Sequence, residues 1–546
     1  MEFDYIVVGG GSAGCVLAAR LSEDPAVTVA LVEAGPADRS VLIHCPAGLA
    51  VLARTGQANW GFETVPQPGL GGRVGWSPRG KVLGGSSSIN AMVYIRGHRS
   101  DYDHWAALGN PGWSYDDVLP LFKAAEHNER GAGPWHGTGG PLNVMDLLCP
   151  NPLVRAFLAA AREAGHRLNL DFNGADQEGV GYYQVTHKAG ERCSAAKAYL
   201  TPHLGRPNLK VYTEAHATRV LFEGRRATGL ELRQGGELRR LSARAEVILS
   251  AGALQSPQLL MLSGVGPGGE LARLGVDAVH DLPGVGRNFH DHVDVVQVID
   301  APKLVQTFGL SLRGLVQVGR GIAQWRRERD GLLTTNFAEA GGFIRSQPSE
   351  EIPDLQLHFV IAKLIDHGRR TVFGHGYSCH VCLLRPKSRG SVTLASLDPM
   401  AAPRIDPAFF DDADDMARMV RGFRLMRDIL RQPALRGLGG QEQARSAGAR
   451  SDAEIEAFIR RFADTIYHPV GTCRMGSDAL SVVDAELRVH GLQGLRVVDA
   501  SIMPRIVGGN TNAPIIMVAE KAARMIRAAR PAQPVAALPE GGPVPS

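Results

Sequence analysis

One imidazole and one carboxamide near the end of the sequence have the residue types that acid–base chemistry on a hydroxyl group requires. His468 stands in the segment Thr465–Gly476, where a proline and a glycine predict a turn, and Asn512 follows in the polar cluster Gly508–Pro514. An imidazole can take the proton of a hydroxyl group while a carboxamide holds the same oxygen by a hydrogen bond. A lone histidine is often only a packed residue, and Asn512 is also suited to cap the last helix. The assignment therefore depends on the other motifs.

A glycine-rich turn at the start of the chain predicts a dinucleotide site. The apolar strand Phe3–Val8 leads into a G-x-G-x-x-G motif, a helical pattern and a second strand that ends at Glu33. Gly9 permits the tight turn, Gly11 lets a pyrophosphate approach the helix N-terminus, and Gly14 allows close packing of helix on strand. Glu33 is placed to accept hydrogen bonds from ribose hydroxyls. The motif by itself does not separate FAD from NAD.

A second glycine-rich run, Arg79–Asn90, suits a cofactor loop better than a flexible surface loop. Small residues give backbone amides access to phosphate groups and ring edges. A buried strand at Glu246–Ser250, followed by a turn and a helix that ends at Leu262, indicates that the chain returns to the first domain there.

The pattern changes between about residues 299 and 460. Alternating segments at Asp354–Phe359, Tyr377–Leu384 and Ser391–Leu394 predict an antiparallel sheet, with helices on one side, that serves the substrate. Within this region, Leu310–Arg329 is amphipathic and rich in arginine. It is interpreted as a surface helix of a lid, with a patch resting on anionic lipid as the alternative.

Length and composition limit the possible classes of protein. A chain of 546 residues is expected to form two domains, and a net charge of +4 gives no case for nucleic-acid binding. The seven cysteines are scattered and odd in number, which favours a reducing compartment over a disulfide framework. The sequence starts directly in a strand, without a leader pattern or a run long enough to span a membrane. We therefore expect a cytoplasmic protein, with peripheral contact with the inner face of the membrane through residues 310–329 left open.

No metal site is expected. Cys379 and Cys382 form a C-x-x-C, but a strand would point the two thiols to opposite faces. The segment Asn288–His292 contains two histidines and an aspartate without a further ligand set, and we interpret it as a structural loop. The tail 531–546, rich in Pro, Gly and Ala, is expected to be disordered.

Several motifs together resemble those of the glucose–methanol–choline (GMC) family of flavin oxidoreductases. They are Gly9–Glu33, Gly80–Asn90, Gly252–Pro267, His468–Gly476, Val498–Pro504 and Asn510–Pro514. Asn59-Trp60, Asn90–Gly97 and Glu339–Arg345 look most like the bacterial choline dehydrogenase and aliphatic alcohol dehydrogenase branch. Residues 41–110 and 170–205 look closest to membrane-associated alkanol dehydrogenases.

The resemblance implies an α/β (α+β overall) fold: a Rossmann-like FAD-binding domain and a discontinuous second domain built on an antiparallel sheet with helices. The expected boundaries are 1–155, 206–298 and 461–530 for the FAD-binding domain, and 156–205 and 299–460 for the substrate-binding domain. FAD is expected to be non-covalent, because Ile89 stands where some members carry a tethering histidine.

The resemblance also implies which residues contact the cofactor. With the residues of the dinucleotide motif included, they are Gly9, Gly11, Ser12, Ala13, Gly14, Glu33, Ala34, Trp60, Val82, Gly84, Gly85, Ser86, Asn90, Ala91, Met92, Val93, Val220, Ala251, Asp499, Ala500, Asn512 and Pro514. His468 and Asn512 are the implied catalytic pair on the reactive side of the flavin.

The function expected from the resemblance is oxidation of a primary, aliphatic alcohol to the aldehyde by hydride transfer to the flavin. His468 acts as base and the electrons pass to a quinone-type acceptor. The alternatives are a choline dehydrogenase, for which Glu339 offers an anion, an alcohol oxidase that uses O₂, and a hydroxynitrile-lyase-like enzyme with a structural flavin.

Overall fold

The computed structural model describes residues 1–304, 306–370 and 372–530, so the predicted disordered tail lies outside the described residues. Two seven-stranded sheets organise the chain. The first sheet contains, in spatial order, Leu209–Tyr212, Val29–Val32, Glu2–Val8, Glu237–Leu249, Arg226–Gln234 and Ala215–Glu223, with Leu495–Val497 also paired to Glu237–Leu249. The second contains Gln441–Glu442, Val293–Asp300, Gly376–Leu383, Leu355–Val360, Ala338–Ile344 and Gly179–Tyr182, with Asp464–Thr465 also paired to Val293–Asp300.

The first sheet has the Rossmann-like arrangement that the sequence predicts. Its central strands pair in parallel, with Tyr5 opposite Val29 and Val8 opposite Leu249. Val29–Val32 is a continuous apolar run that is buried throughout, as expected for a strand covered on both faces. The two remaining strands, Ala215–Glu223 and Arg226–Gln234, extend the sheet as an antiparallel hairpin.

Two helices from opposite ends of the chain pack together beside the first sheet. They are Ser12–Leu21, here called the first helix, and Asn512–Ala529, here called the last helix. The Arg20 guanidinium contacts the buried Glu520 carboxylate at 2.7 Å, and Ser12 Oγ donates to Asn512 Oδ1 at 2.7 Å. The dinucleotide fold is therefore completed by the C-terminal end of the sequence.

The second sheet is antiparallel throughout, as predicted, but the predicted strand Ser391–Leu394 is not part of it and pairs separately with Arg404–Asp406. One of its faces packs in an apolar core against the helices Pro152–Glu163, Ala413–Leu430 and Asp452–Phe462. Val293–Asp300 spans the predicted domain boundary at residue 298 and pairs within this second sheet. The domain boundaries themselves stay predictions.

Shorter elements complete the described chain. The remaining α-helices are Val41–His44, Leu49–Thr55, Arg99–Ala107, Tyr115–Ala125, Gly252–Leu262, Gly268–Arg273, Leu312–Glu328, Pro433–Arg436 and Ala444–Ala447. The remaining strands form two-stranded pairs at Phe62–Glu63 with Trp76–Ser77, Glu126–Asn128 with Leu142–Val144, His187–Lys188 with Glu191–Arg192, Val265–Gly266 with His280–Asp281, and Ser391–Thr393 with Arg404–Asp406. Among the described helices, none is both long enough and apolar enough to cross a bilayer.

Candidate active site

A cavity of about 640 Å³ extends from the glycine-rich turn of the first sheet to the second sheet. Its walls include Gly11 and Glu33 at one end and His358 and Val360 at the other. His468 and the turn that precedes the last helix also line it. Its volume lies in the range of pockets that enclose cofactors and small ligands, and it brings the predicted nucleotide motif and the predicted base to one site.

The buried carboxylate of Asp291 positions the main chain at His468. Asp291 Oδ1 accepts from His468 N at 2.8 Å, and Asp291 Oδ2 accepts from Thr465 Oγ1 at 2.5 Å. Burial raises the pKa of Asp291 to about 7. The residue before the histidine, Tyr467, has a φ of 75°, and Arg79 Nη2 donates to its carbonyl oxygen at 2.7 Å. A strained left-handed tyrosine next to a base is stabilised only by such surrounding contacts.

The hydrogen bonds of the His468 ring define its tautomer. Asn510 Oδ1 accepts from Gln356 Nε2 at 3.1 Å, which directs Asn510 Nδ2 to His468 Nε2 at 3.3 Å. Because the amide nitrogen is a donor, Nε2 is the acceptor and the proton lies on Nδ1. His468 Nδ1–H donates a hydrogen bond to His292 Nδ1, and the two nitrogens are 3.0 Å apart. The Nε2 lone pair of His468, which accepts from Asn510 Nδ2, therefore faces the cavity.

The surroundings of His468 keep it neutral. Burial, and then the neighbouring His292, His358 and Arg79, hold the pKa of His468 well below its usual range. Burial also lowers the pKa values of His292 and His358 to about 3. A neutral imidazole with its lone pair in the cavity has the protonation state that a general base requires.

The glycine-rich turn has the shape that a dinucleotide requires. A Cβ on Gly14 would lie 1.8 Å from Gly9 O, so no side chain fits between helix and strand there. A Cβ on Gly85 would lie 2.7 Å from Gly11 Cα, so the second glycine loop packs directly on the first. A Cβ on Gly11, in contrast, has no neighbour closer than 3.9 Å and would enter the space beside the cavity.

Glu33 closes the nucleotide end of the cavity. Its carboxylate oxygens accept from Gly10 N at 2.8 Å and from Gly35 N at 2.7 Å. Burial raises the pKa of Glu33 to about 7, although these two backbone donors oppose the shift. Ser250 Oγ, in the same wall, is buried without a hydrogen-bond partner among the described residues. Each Glu33 oxygen keeps a lone pair that can accept from a hydroxyl group of a nucleotide. The unpartnered Ser250 hydroxyl can form a further hydrogen bond to the nucleotide.

The comparison with known proteins identifies the family. The GMC oxidoreductase model matches residues 3–294 with its N-terminal part and residues 386–519 with its C-terminal part. The chain belongs to the GMC oxidoreductase family. The predictions of the family and of an oxidoreductase are confirmed. GMC oxidoreductases bind FAD, and the cavity offers a nucleotide end with the features described above.

Curated GMC relatives match over nearly the whole chain. An alcohol dehydrogenase (acceptor) of Pseudomonas putida is 50% identical over 530 residues, covering 96% of this chain and 95% of the relative. The mitochondrial choline dehydrogenase of Homo sapiens is 46% identical over 537 residues, covering 96% of this chain and 90% of the relative.

Solved GMC structures confirm the fold. Pyridoxine 4-oxidase from Mesorbium loti superposes with a TM-score of 0.86 at 33% identity, covering 97% of this chain and 100% of that one. Formate oxidase from Aspergillus oryzae RIB40 superposes with a TM-score of 0.88 at 28% identity, covering 96% and 98%.

Most of the predicted cofactor residues of this GMC chain line the cavity. They are Gly9, Gly11, Ser12, Ala13, Glu33, Ala34, Trp60, Gly85, Ser86, Asn90, Ala91, Met92, Val93, Ala251, Asp499, Ala500 and Asn512. Gly14, Val82, Gly84, Val220 and Pro514 are not among the lining residues. Val220 lies in the core of the first sheet, and the lining residues of its strand are Ala215, His216 and Ala217.

The predicted pairing of His468 with Asn512 differs from the observed contact. The amide beside the imidazole belongs to Asn510, two residues earlier. Asn512 is the first residue of the last helix, and its Oδ1 accepts from Ser12 Oγ in the dinucleotide turn. Thr511 occupies the N-cap position, so Asn512 does not cap this helix. The two amides of one short segment thus face different partners because the helix begins between them.

The Asn288–His292 segment is also more than the structural loop that the sequence predicts. Asp291 and His292 contact the backbone and the ring of His468, respectively. No sequence spacing indicates this, because the two segments are about 176 residues apart. Among the described residues, no group of three or more His, Cys, Asp or Glu side chains is arranged to hold a metal ion. Cys379 and Cys382 pack in different apolar cores on opposite faces of their strand.

Glu339 does not face the substrate. Its carboxylate is buried, where it accepts from Thr335 Oγ1 and from Asn151 N at 2.6 Å each, and it is not among the residues that line the cavity. The carboxylates that do line the described cavity are Glu33 and Asp499, both at the nucleotide half. The half beside His468 therefore presents no anion to a cationic substrate.

Proposed function

We propose that this GMC oxidoreductase oxidises an uncharged primary alcohol, of aliphatic type, to the aldehyde and passes the electrons to a quinone-type acceptor. The observation that carries the proposal is the His468 lone pair, directed into the cavity beside the Asn510 amide. An alcohol oxygen that replaces the hydrogen bond between these two groups gives its proton to His468 Nε2 and accepts a hydrogen bond from Asn510 Nδ2. This proposal replaces Asn512 with Asn510 as the partner of the base.

The residues of the chain account for the proton and the orientation. When bound, FAD supplies the acceptor for the hydride that leaves the alcohol carbon. His468 becomes an imidazolium whose Nδ1–H still donates to His292. Because burial disfavours that cation, we expect the proton to move together with the loss of the hydride and then to leave to solvent. Asn512, bonded to Ser12, is assigned to the cofactor side of the site.

Charge supports an uncharged alcohol over choline. A quaternary ammonium group is recognised by aromatic faces together with an anion. The cavity lining contains aromatic side chains such as Phe337 and Tyr467, but outside the nucleotide half its charged side chains are cations. They include Arg79, which donates to Tyr467 O, and Lys363, which donates to Phe373 O and pairs with Asp300. The Pseudomonas putida relative, named as an alcohol dehydrogenase (acceptor), points in the same direction.

We also propose that FAD is held without a covalent bond, since Ile89, which lines the cavity, offers no tethering atom. Acid precipitation should release all of the yellow colour into the supernatant. Colour that stays with the precipitate would contradict this.

The deciding experiment is anaerobic bleaching of the FAD-loaded protein by linear alcohols, an aryl alcohol and choline, followed by reoxidation with a quinone or with air. Linear alcohols should bleach the flavin fastest. His468→Ala should retain FAD and lose bleaching by about two to four decades. Asn510→Ala should slow bleaching at unchanged FAD occupancy, whereas Asn512→Ala should lower occupancy.

Each alternative has its own outcome. Choline as the fastest substrate would replace the proposed alcohol class. Rapid peroxide formation in air would indicate an oxidase. A flavin that stays yellow with every alcohol would favour the hydroxynitrile-lyase-like reaction. Undiminished bleaching in His468→Ala would remove the base from its role.

A further inference from the structure

Exposed apolar side chains lie beside the mouth of the cavity. Leu310 both lines the cavity and is exposed to solvent, which places it at the mouth. Gly374 N donates to Leu310 O at 3.1 Å, so the loop that carries Phe373 lies directly beside it. Leu312 and Phe373 are 85% and 78% exposed, far more than large apolar residues usually are. We call the following residues the rim patch: Leu310, Leu312, Leu315, Val316, Ile322 and Phe373.

Most of the rim patch belongs to one helix, Leu312–Glu328, here called the rim helix. Its inner side is buried through Gly314, Gly321 and Trp325, at helical spacing. Trp325 Nε1 donates to Gly190 O at 2.8 Å and anchors the helix to the protein. The apolar residues of the rim patch therefore remain outside because the inner side is already packed.

A line of arginines follows the edge of the exposed apolar side. Arg313, Arg320 and Arg327 are spaced by seven residues, two turns of helix, and all three are exposed. Arg329, beyond the helix, pairs with Glu191, whereas these three arginines form no ion pair among the described residues. Apolar residues on the outer side of a helix with uncompensated arginines beside them are typical of a helix that lies in the plane of a membrane interface.

From these observations we propose that the rim helix and the Phe373 loop rest on the surface of an anionic phospholipid bilayer. The unpaired arginines of the rim helix favour a lipid bilayer over a second copy of the chain as the partner of this surface. A symmetric dimer through the rim patch would bring two sets of unpaired arginines together, whereas anionic headgroups neutralise them. The inference stands on surface geometry and charge, and it does not depend on which alcohol is oxidised.

Access to the cavity follows from this orientation. Phe308, Leu310 and Val318 belong to or adjoin the rim helix and also form the cavity wall. With the rim patch in the interface, the mouth opens toward the apolar side of the headgroup layer. An apolar alcohol or a lipid-soluble acceptor then enters from the bilayer without crossing bulk water.

The test is co-sedimentation of the FAD-loaded protein with vesicles, without any alcohol. Vesicles of phosphatidylcholine mixed with phosphatidylglycerol should bind the protein, and phosphatidylcholine vesicles should bind it at least about tenfold less. Added salt should reduce the binding, because it screens the arginines. Equal binding to both kinds of vesicle, or no binding to either, would refute the proposal.

Matched variants separate the two parts of the surface. Replacing the apolar tips, Leu312→Ser with Phe373→Ser, should lower binding by about tenfold or more, since each buried apolar side chain favours transfer from water. The control pair Leu170→Ser with Leu238→Ser removes two exposed leucines outside the rim patch, 81% and 60% exposed, and should bind as the wild type does. All variants must keep their bound flavin, which reports an intact fold.

The charge variants complete the test. Replacing Arg313, Arg320 and Arg327 with glutamine should abolish the preference for anionic vesicles. The control triple removes three other exposed arginines, Arg225, Arg273 and Arg524, and should keep that preference. If both triples lose binding equally, net charge and not this surface is responsible. If ultracentrifugation shows a dimer that Phe373→Ser dissociates, the rim patch is an interface between copies.

Discussion

The proton on His468 Nδ1 is held by a single neighbour, the ring nitrogen of His292 at 3.0 Å. That bond keeps the lone pair on Nε2, where the substrate binds. Without an acceptor at Nδ1, only the Asn510 amide still favours this tautomer, and the other tautomer presents an N–H to the alcohol. His292 is thus a positioning residue for the base.

We predict that His292→Phe slows anaerobic bleaching by about tenfold or more, whereas His292→Gln, whose Oε1 accepts a hydrogen bond, retains most of the rate. The pH profile provides the second readout. In the wild type the rate should stay level as the pH falls through about 6.5, the ordinary histidine pKa, because the pKa of His468 is lowered. In His292→Phe the acid limb should move to still lower pH, since the neutral His292 ring accepts from His468 Nδ1–H and so stabilises the imidazolium. Unchanged rate and profile in His292→Phe would show that the contact has no role.

At the scale of elements, two glycines of the same turn have separable purposes. A Cβ on Gly14 meets Gly9 O at 1.8 Å, whereas a Cβ on Gly11 meets nothing within 3.9 Å. Gly14→Ala should therefore reduce the yield of folded protein. Gly11→Ala should fold with the thermal stability of the wild-type apoprotein but hold much less FAD, because the methyl group occupies the space of the pyrophosphate. Normal FAD occupancy in Gly11→Ala would place the cofactor elsewhere.

These elements also show what the sequence can predict. The two central strands, the glycine turn and Glu33 are local in sequence, and each was predicted at its observed place. His468 was singled out because its turn is rich in small residues and proline. Asn510 was missed because two amides stand in one short segment, and only the start of the last helix determines which faces the imidazole. Asp291 and His292 were missed because the antiparallel strands that bring them beneath His468 are distant in sequence.

At the scale of the whole molecule, buried neutral histidines make stability depend on pH. Burial lowers the pKa values of His187, His292 and His358 to about 3, and those of His290 and His468 well below their usual range. In the unfolded chain these histidines take up protons below about pH 6.5, whereas in the folded protein they do not. As the pH falls below about 6.5, each of these histidines therefore lowers the free energy of unfolding by roughly 1.4 kcal/mol per pH unit.

Carboxyl groups with raised pKa values act in the opposite direction, and they include Asp38, Glu339 and Asp499, whose pKa values burial raises. The pKa values of Glu33 and Asp291 are raised to about 7, so between about pH 7 and pH 4 the folded protein binds their protons first and gains stability on acidification. With His380, whose pKa burial lowers to about 4, six buried histidines outnumber the five carboxyl groups, and we predict that the urea midpoint falls steadily from pH 6.5 to pH 5. His358→Leu removes one titrating ring and should flatten this slope. A midpoint that is constant or rises on acidification would contradict the prediction.

The hydrogen bond from Ser12 to Asn512 joins residues 500 positions apart, as does the bond from Arg20 to Glu520. During synthesis, the first helix therefore leaves the ribosome long before the segment that completes its surroundings exists. The binding pocket for FAD is therefore incomplete until the polypeptide is nearly released. Loading must follow translation, and a nascent chain stalled ahead of the last helix should emerge colourless.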